Sequence, residues 1–240
     1  MPSESTTFQF ETIGFIKSCF TQKFSIPRQP GLVKRAKATL NLLPKFSHPD
    51  IVRGLEQYSH IWVSFVFHQS MRSDWKNTVR PPRLGGNEKL GVFATRSNFG
   101  PNPIGQSVVK LEEIEMVNGG ITLHLSGVDF LDSTPVLDIK PYIPYADALP
   151  LAQAGMAANP PEKVFKVEFS EQAKSQLVLA EEVQGGDFGD LIIEILSFDV
   201  RPAYYDENKQ KSEFHTRIYE YEIRWKVEAN RIIVQYISYK

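Results

Sequence analysis

Short strand-like segments separated by turn-rich connections dominate the first 150 residues of this 240-residue chain. The clearest example runs from Ile121 to Ser126, where apolar and polar residues alternate strictly. This period of two is typical of a sheet with one face in water. Several short strands at such spacing favour a β-barrel or a β-sandwich.

The pattern predicts a mainly β chain with two domains. In the first part the predicted strands are Phe8–Lys17, Ile61–His68, Gly91–Thr95, Ser107–Ile114, Ile121–Asp129 and Val136–Ile139. Alanine, proline and glycine then accumulate up to residue 161, which is typical of a linker. Beyond it the sequence predicts a strand at Val164–Phe169, helices at Glu171–Glu182 and Phe188–Leu196, and a hairpin over Phe214–Tyr239. We therefore predict an N-terminal domain over residues 1–150, a linker over 151–161 and a smaller α+β domain over 162–240.

The composition argues against several classes of protein. The single cysteine, Cys19, excludes a disulfide framework within the chain. The five histidines have no zinc-ligand spacing and the aspartates no calcium-loop spacing, so no metal is expected. Apolar runs are far shorter than the ~20 residues of a membrane helix, and the first residues lack the features of a secretory leader. The sequence predicts a cytoplasmic protein that is not embedded in a membrane.

Residues 79–106 contain an unusual concentration of glycine and proline. The glycines are Gly85, Gly86, Gly91, Gly100 and Gly105, and the prolines are Pro81, Pro82, Pro101 and Pro103. Proline fixes φ, and glycine permits positive φ and close approach of a ligand, so this run specifies the path of a loop. Four cations, Arg80, Arg83, Lys89 and Arg96, give it positive charge. The alternative interpretation is a plain surface turn between two strands.

The net charge of −1 conceals two oppositely charged parts of the chain. Residues 12–110 contain 15 Lys and Arg against 4 Asp and Glu, whereas residues 111–240 contain 12 against 22. A basic surface of this kind attracts a polyanion, because phosphate neutralisation is the main source of nucleic-acid affinity. The alternative is that the basic part packs against the acidic part, within one molecule or across a dimer.

Several motifs identify the chain as similar to one family. Pro27-Arg28-Gln29-Pro30-Gly31 is the first in chain order, and Tyr58-Ser59-His60-Ile61-Trp62 with its continuation Phe65-Val66-Phe67-His68-Gln69 is the second. Pro101-Asn102-Pro103-Ile104-Gly105, Leu131-Asp132-Ser133-Thr134-Pro135 with its continuation to Tyr142, and Asp199-Val200-Arg201-Pro202 follow. In this order they resemble the TsaA/YaeB family, whose characterised members are TrmO-type tRNA (adenine-N6)-methyltransferases.

The resemblance implies a fold and a function. Of the barrel and the sandwich that the strand pattern leaves open, it implies a YaeB-like β-barrel for the N-terminal domain. It implies S-adenosylmethionine-dependent methylation of N6 of threonylcarbamoyladenosine at position 37 of tRNA, with the anticodon stem-loop as partner and a homodimer as assembly. A non-catalytic RNA-binding or S-adenosylmethionine-sensing module is the alternative. In-line methyl transfer needs aligned reactants and no metal, which agrees with the composition.

The same resemblance implies the site residues. The predicted cofactor-binding residues are Pro27, Arg28, Gln29, His68, Gln69, Arg96, Gln106, Phe130, Leu131, Asp132 and Ser133. The predicted RNA-binding residues are Arg35, Arg80, Arg83, Arg201 and Tyr204. An arginine fork suits the methionine carboxylate, a carboxylate suits ribose hydroxyls, and the backbone at residues 130–131 suits the adenine edge. Each residue also has a plainer reading, such as an ion pair, a core histidine or a turn-initiating aspartate.

Three positions qualify this picture. Asp138 is a weak candidate for a general base, because an aspartate near Lys140 is more simply an ion pair. No catalytic residue is therefore assigned. Gly100 stands where many relatives have arginine, and Ser133 where many have glycine. The second departure matters if position 133 requires a positive φ, which serine tolerates poorly.

Overall fold

The computed structural model describes residues 7–71, 74–201 and 213–240. Its strands and helices in chain order are β1 (Gly14–Ser18), β2 (Lys37–Leu42), β3 (His60–Val66), β4 (Thr78–Val79), β5 (Leu90–Gly91), β6 (Ile104–Val117), β7 (Gly120–Ser126), β8 (Pro135–Pro141), α1 (Pro144–Asp147), β9 (Lys166–Phe169), α2 (Glu171–Gln184), α3 (Phe188–Leu196), β10 (Glu213–Ile218), β11 (Tyr221–Glu228) and β12 (Arg231–Tyr239). The mainly β fold class predicted from the sequence is confirmed.

Six strands close into a barrel in the order β1-β2-β7-β6-β3-β8. The long strand β6 pairs with β3 through its first half and with β7 through its second half, and its register shifts between Leu111 and Glu113. Strand β8 closes the barrel by pairing with both β3 and β1. Of the two architectures that the strand pattern left open, the chain adopts the barrel.

Alternating side chains fill the barrel interior. On β3, Ile61, Val63 and Phe65 are buried, while the residues between them are partly exposed. Strand β2 repeats this pattern with Ala38 and Leu40 buried. This strand was missing from the sequence prediction, because it lies within a basic run free of acidic residues, which indicates a charged surface.

The C-terminal domain is a four-stranded sheet, β10-β11-β12-β9, with α2 and α3 packed against it. Strand β9 joins β12 in parallel, and α2 begins directly after it. The hydroxyl of Ser170 accepts a hydrogen bond from the Ala173 N–H at 3.1 Å and so caps α2. The two predicted helices are confirmed, α3 with its predicted bounds.

Three predicted elements were wrong. Residues 214–239 form three strands rather than one hairpin, because a second turn at Tyr219 separates β10 from β11. The predicted strand Gly91–Thr95 is a two-residue strand followed by a helical turn at Val92–Ala94. The first strand begins only at Gly14, because its pairing with β2 and β8 starts at that residue. The aromatic side chains before it remain exposed.

The two domains pack through hydrogen bonds and ion pairs. The Tyr219 N–H donates to the Cys19 carbonyl at 2.7 Å, and the hydroxyls of Ser25 and Thr216 lie 3.0 Å apart. The Arg35 guanidinium contacts the Asp190 carboxylate at 3.1 Å. Part of the basic surface is therefore neutralised by the acidic half of the same molecule. Cys19 is fully buried at this interface, and burial raises the pKa of its thiol to about 12.

Ser133 adopts a left-handed backbone conformation with a φ of 62°. Its N–H donates to the Ile16 carbonyl at 2.8 Å, and its hydroxyl donates to Asp132 Oδ2 at 3.0 Å. A residue with a Cβ in this conformation costs roughly 1–2 kcal/mol. The departure from glycine at this position therefore introduces local strain in the loop that leads into β8.

We predict that Ser133→Gly raises the free energy of unfolding by about 0.5–1 kcal/mol, because relief of the strain exceeds the extra chain entropy of glycine. Urea denaturation at neutral pH measures the difference. Ser133→Ala is the matched control, since it removes the hydroxyl but keeps the Cβ. Equal stability of the glycine and alanine variants would contradict this account.

Candidate active site and nucleic-acid surface

A cavity of about 620 Å³ lies at the end of the barrel where β1, β3 and β7 end and β6 and β8 begin. We call it the inner cavity. Its volume falls within the ~300–1,000 Å³ typical of small-molecule sites. The predicted cofactor residues that line it are Pro27, Arg28, Gln29, His68, Gln69, Arg96, Gln106 and Leu131. Residues from distant parts of the sequence therefore converge on one cavity.

The other three predicted cofactor residues are absent from this lining. The Phe130 side chain is fully buried and meets the Phe65 ring edge-on, with centroids 5.1 Å apart. Asp132 accepts a hydrogen bond from the Ser18 N–H at 2.8 Å through Oδ1, and the Ser133 N–H is bound to the barrel. These three side chains take part in core packing and in anchoring the loop, and their assignment to the cofactor stays a prediction.

The polar groups of the inner cavity form an ordered set. Arg96 Nη1 donates to Gln29 Oε1 at 2.6 Å, which joins two of the predicted cofactor segments. Lys23 Nζ donates to the Gln69 carbonyl at 2.9 Å. Burial, and then the positive charge of Lys23, lower the pKa of His68, so its imidazole is neutral near pH 7.

Asp129 is a cavity residue that the sequence analysis missed. Its Oδ1 accepts a hydrogen bond from the Ser107 hydroxyl at 2.7 Å. Burial raises the pKa of the Asp129 carboxyl to about 6, although the Ser107 hydrogen bond and the charge of Arg96 lower it. A lone carboxylate between the apolar residues Val128 and Phe130 was the signal that could have revealed it.

The glycine- and proline-rich run forms a small arm beside the inner cavity. Strands β4 and β5 pair antiparallel at its base, and Gly85 and Gly86 take positive φ values of 67° and 71° at its turn. The alternative of a turn between two strands is therefore correct for the tip. The part that follows, residues 92–107, lines the inner cavity.

A larger cavity of about 1,520 Å³ adjoins the first, and we call it the outer cavity. The two share a wall that includes Arg28, Gln29, Phe93 and Arg96. Phe93 is 84% exposed in that wall. In the part of the chain that the structure describes, the charged residues lining the outer cavity are Arg28, Lys76, Arg80, Arg83, Lys89, Arg96 and Glu162. The outer cavity is therefore strongly positive.

The predicted RNA-binding residues that the structure describes lie in different surroundings. Arg80 and Arg83 line the outer cavity, where the Arg83 guanidinium donates to the Asn159 carbonyl. Arg35 lines neither cavity and is paired across the domain interface, and its assignment to RNA stays a prediction. Arg201 binds the Asp199 carboxylate through both Nε and Nη2, and its side chain is only 13% exposed. Tyr204 lies outside the described residues.

Asp138, the weak candidate for a general base, lies on β8 and lines neither cavity. Its Oδ2 contacts Lys140 Nζ at 2.5 Å, and its Oδ1 accepts from the Ile139 N–H. The structure thus gives this carboxylate the ion-pair role.

Two classes of feature are absent from the described ranges. None of the helices there combines the length and apolarity that crossing a membrane requires. The same ranges hold no group of three His, Cys, Asp or Glu side chains placed to bind a metal ion.

Comparison with known proteins supports the resemblance seen in the motifs. The family model for the tRNA-methyltransferase O N-terminal domain matches residues 15–148, and the model for the TrmO C-terminal domain matches residues 162–240. The tRNA (adenine(37)-N6)-methyltransferase of Escherichia coli (strain K12) is 45% identical over 222 residues, which cover 92% of this chain and 94% of that protein. RcsF, a putative S-adenosylmethionine-dependent methyltransferase of Pseudomonas aeruginosa, is 47% identical over 219 residues, covering 91% of this chain and 92% of that protein.

A solved structure is similar over nearly the whole chain. The crystal structure of TrmO from Pseudomonas aeruginosa has a TM-score of 0.80 and 40% sequence identity, and the match covers 98% of this chain and all of that one. The same family is indicated by both family models, by the sequence relatives and by the solved structure. The chain belongs to the tRNA-methyltransferase O (TrmO) family.

Proposed function

We propose that this protein is an S-adenosylmethionine-dependent methyltransferase that acts on N6 of threonylcarbamoyladenosine at position 37 of tRNA. The observation that carries the proposal is the pair of adjoining cavities, of which the inner one suits a small cofactor and the outer one a nucleic acid. Membership of the TrmO family supports the same reaction class.

The inner cavity fits the cofactor in volume and chemistry. Guanidinium groups of Arg28 and Arg96 are available to hold the methionine carboxylate, since a planar fork matches a carboxylate. Its wall also offers aromatic and aliphatic surface from Phe65, Val92 and Leu131 for the adenosine part. When bound there, the cofactor supplies an electrophilic methyl group on a sulfonium.

The chain's own residues position the target nucleotide. The cations around the outer cavity neutralise phosphates of the anticodon stem-loop. Phe93, exposed in the shared wall, offers an aromatic face on which the target base can stack. The proposal requires such a base to direct N6 towards the inner cavity, because alignment of that nitrogen with the methyl group is the main catalytic requirement.

The function is tested by incubating the protein with S-adenosylmethionine and two tRNA preparations, one carrying threonylcarbamoyladenosine at position 37 and one carrying unmodified adenosine. We expect nucleoside mass spectrometry to find one added methyl group on the modified nucleoside alone. No methyl transfer to either tRNA, with cofactor binding intact, would instead indicate a non-catalytic module. Transfer to both would contradict the proposed substrate.

The RNA surface is tested by charge reversal. We expect Arg80→Glu and Arg83→Glu each to weaken tRNA binding about tenfold and to reduce the salt dependence of binding, because each loses a phosphate contact. Arg217→Glu is the matched control, since Arg217 is an exposed arginine on β10 outside both cavities. Filter binding at several salt concentrations provides the measurement.

Arg35→Glu separates the RNA surface from the domain interface. Because Arg35 contacts Asp190 and Glu194, its reversal should lower the melting temperature, whereas reversal of Arg83 should not. Equal loss of tRNA binding in the Arg83 and Arg217 variants would contradict the placement of RNA in the outer cavity.

We also propose a homodimer and a cytoplasmic location. The resemblance to the family supports the dimer, and the segment after β8 offers exposed apolar side chains, with Tyr145 91%, Leu149 71% and Leu151 98% exposed. The proposed cytoplasmic location rests on the proposed tRNA substrate. Recovery of the protein in a membrane fraction would argue against this location.

We expect sedimentation to give twice the chain mass for the native protein and a shift towards monomer for Tyr145→Lys/Leu151→Lys. Burial of a charge at a self-complementary interface is the physical reason. Val178→Lys on α2, at a residue 59% exposed, is the control that should remain dimeric. A native protein that is monomeric and still methylates tRNA at full rate would rule the dimer out.

A further inference from the structure

The carboxyl group of Asp129 has no part in the assignments made so far. It follows the end of β7, lies between the buried residues Val128 and Phe130, and faces the inner cavity. The Ser107 hydroxyl binds its Oδ1 at 2.7 Å, which fixes its orientation. A carboxylate can accept about four hydrogen bonds, so this group retains the capacity to take a proton from a ligand.

Asp129 lines the inner cavity, which shares a wall with the outer cavity. The charge of Arg96 acts on this carboxyl, and Arg96 belongs to the wall that the two cavities share. His68, the other titratable candidate, is influenced by Lys23 and Asp132, which lie outside that wall. A base that reaches the inner cavity past Arg96 therefore enters the space that Asp129 lines.

The chemistry of the substrate requires a proton acceptor. On the proposed function, N6 belongs to a urea, and its lone pair is delocalised into the carbonyl and the purine ring. The nitrogen is a poor nucleophile while it keeps its proton, so a carboxylate near it accelerates the reaction. A neighbouring cation would instead stabilise the cofactor carboxylate or the phosphates.

We propose that the Asp129 carboxylate is the proton acceptor for N6 methylation, an inference that rests on the proposed function. The N6–C bond forms as the S–C bond of the sulfonium breaks, and the sulfur keeps that electron pair as a neutral thioether. The N6–H bonding pair stays on nitrogen, and the proton moves to Asp129. The carboxyl then loses this proton to solvent after the methylated tRNA leaves.

The state of the carboxyl agrees with this role. Because its pKa is about 6, Asp129 is ionised at neutral pH, and it is a stronger base than an ordinary aspartate. The titratable and cationic side chains that line the same cavity are Lys23, Arg28, His68 and Arg96.

Because the proton acceptor must be ionised, we expect the rate of methyl transfer to fall tenfold per pH unit below about pH 6.

The test compares Asp129→Asn with the native protein in single-turnover methylation of threonylcarbamoylated tRNA. We expect the rate to fall roughly 100-fold or more, the lower range for removal of a general base. Binding of S-adenosylhomocysteine, measured by calorimetry, should stay within about threefold. Asp138→Asn is the matched control and should keep the native rate, because Asp138 is bound to Lys140 outside both cavities.

Ser107→Ala is a second variant. Its effect on the pH dependence of the rate separates proton acceptance by Asp129 from a purely structural role. Loss of its hydrogen bond to the charged carboxylate should raise the pKa of Asp129. We expect the acidic limb of the pH–rate profile to shift to higher pH. Carbon-detected NMR of the labelled carboxyl in the cofactor-free protein should show the same shift, independent of activity.

The outcomes distinguish this inference from the proposed function. If native protein methylates and Asp129→Asn keeps its rate, Asp129 is not the acceptor and the function stands. If the variant instead loses S-adenosylhomocysteine binding, Asp129 holds the cofactor and the inference is overturned. If His68→Gln alone removes the acidic limb, the acceptor is His68. Absence of methylation by native protein overturns the proposed function itself.

Discussion

The close contact between Phe65 and Gly105 shapes the end of the barrel on which the site depends. The two residues face each other across β3 and β6, and a Cβ at position 105 would lie 2.2 Å from the Phe65 ring. Only glycine leaves room for the ring at this point. Phe65 in turn meets the rings of Phe67 and Phe130 edge-on, with centroids 5.0 and 5.1 Å away.

This aromatic cluster fixes the polar groups that follow its members in the chain. Gln106 and Ser107 come directly after Gly105 on β6, and Asp129 comes directly before Phe130, so all three line the inner cavity. Close packing of rings in a barrel core resists displacement, which holds the Ser107–Asp129 hydrogen bond in place. The cavity is therefore a consequence of core packing, with polar side chains at its edge.

The charge pattern of the chain serves two purposes. Near β2, the basic residues Arg35 and Lys37 pair with acidic residues at the start of α3 and along it, which docks the C-terminal domain on the barrel. In the arm, the cations at positions 76–96 face the outer cavity, where Glu162 is the carboxylate among the described lining residues. Of the two interpretations that the sequence left open, charge pairing within the molecule is thus observed near β2, and binding of a polyanion by the arm stays a prediction.

Sequence reasoning predicted the parts of the structure that depend on local pattern. Alternation identified β7, and the two helices expected beyond the linker correspond to α2 and α3. It missed β2, because the segment lies within a basic run that indicates a charged surface. Its assignment of Arg35 and Arg201 to RNA stays a prediction. The pairing of Arg35 with Asp190 depends on tertiary placement that a sequence does not reveal, whereas the pairing of Arg201 with Asp199 is local in the chain. Asp129 was missed although its place between two apolar residues was a signal, because its contact with Ser107 and its position in the inner cavity arise only in the folded chain.

The central claim is that the inner cavity holds the cofactor and the outer cavity the nucleic acid. A crystal structure with S-adenosylhomocysteine tests it most directly. The account predicts density for the ligand in the inner cavity, with its carboxylate at Arg28 or Arg96 and its sulfur turned towards the shared wall near Phe93, while the outer cavity stays open. Density in the outer cavity, or contacts that bypass both arginines, would contradict it.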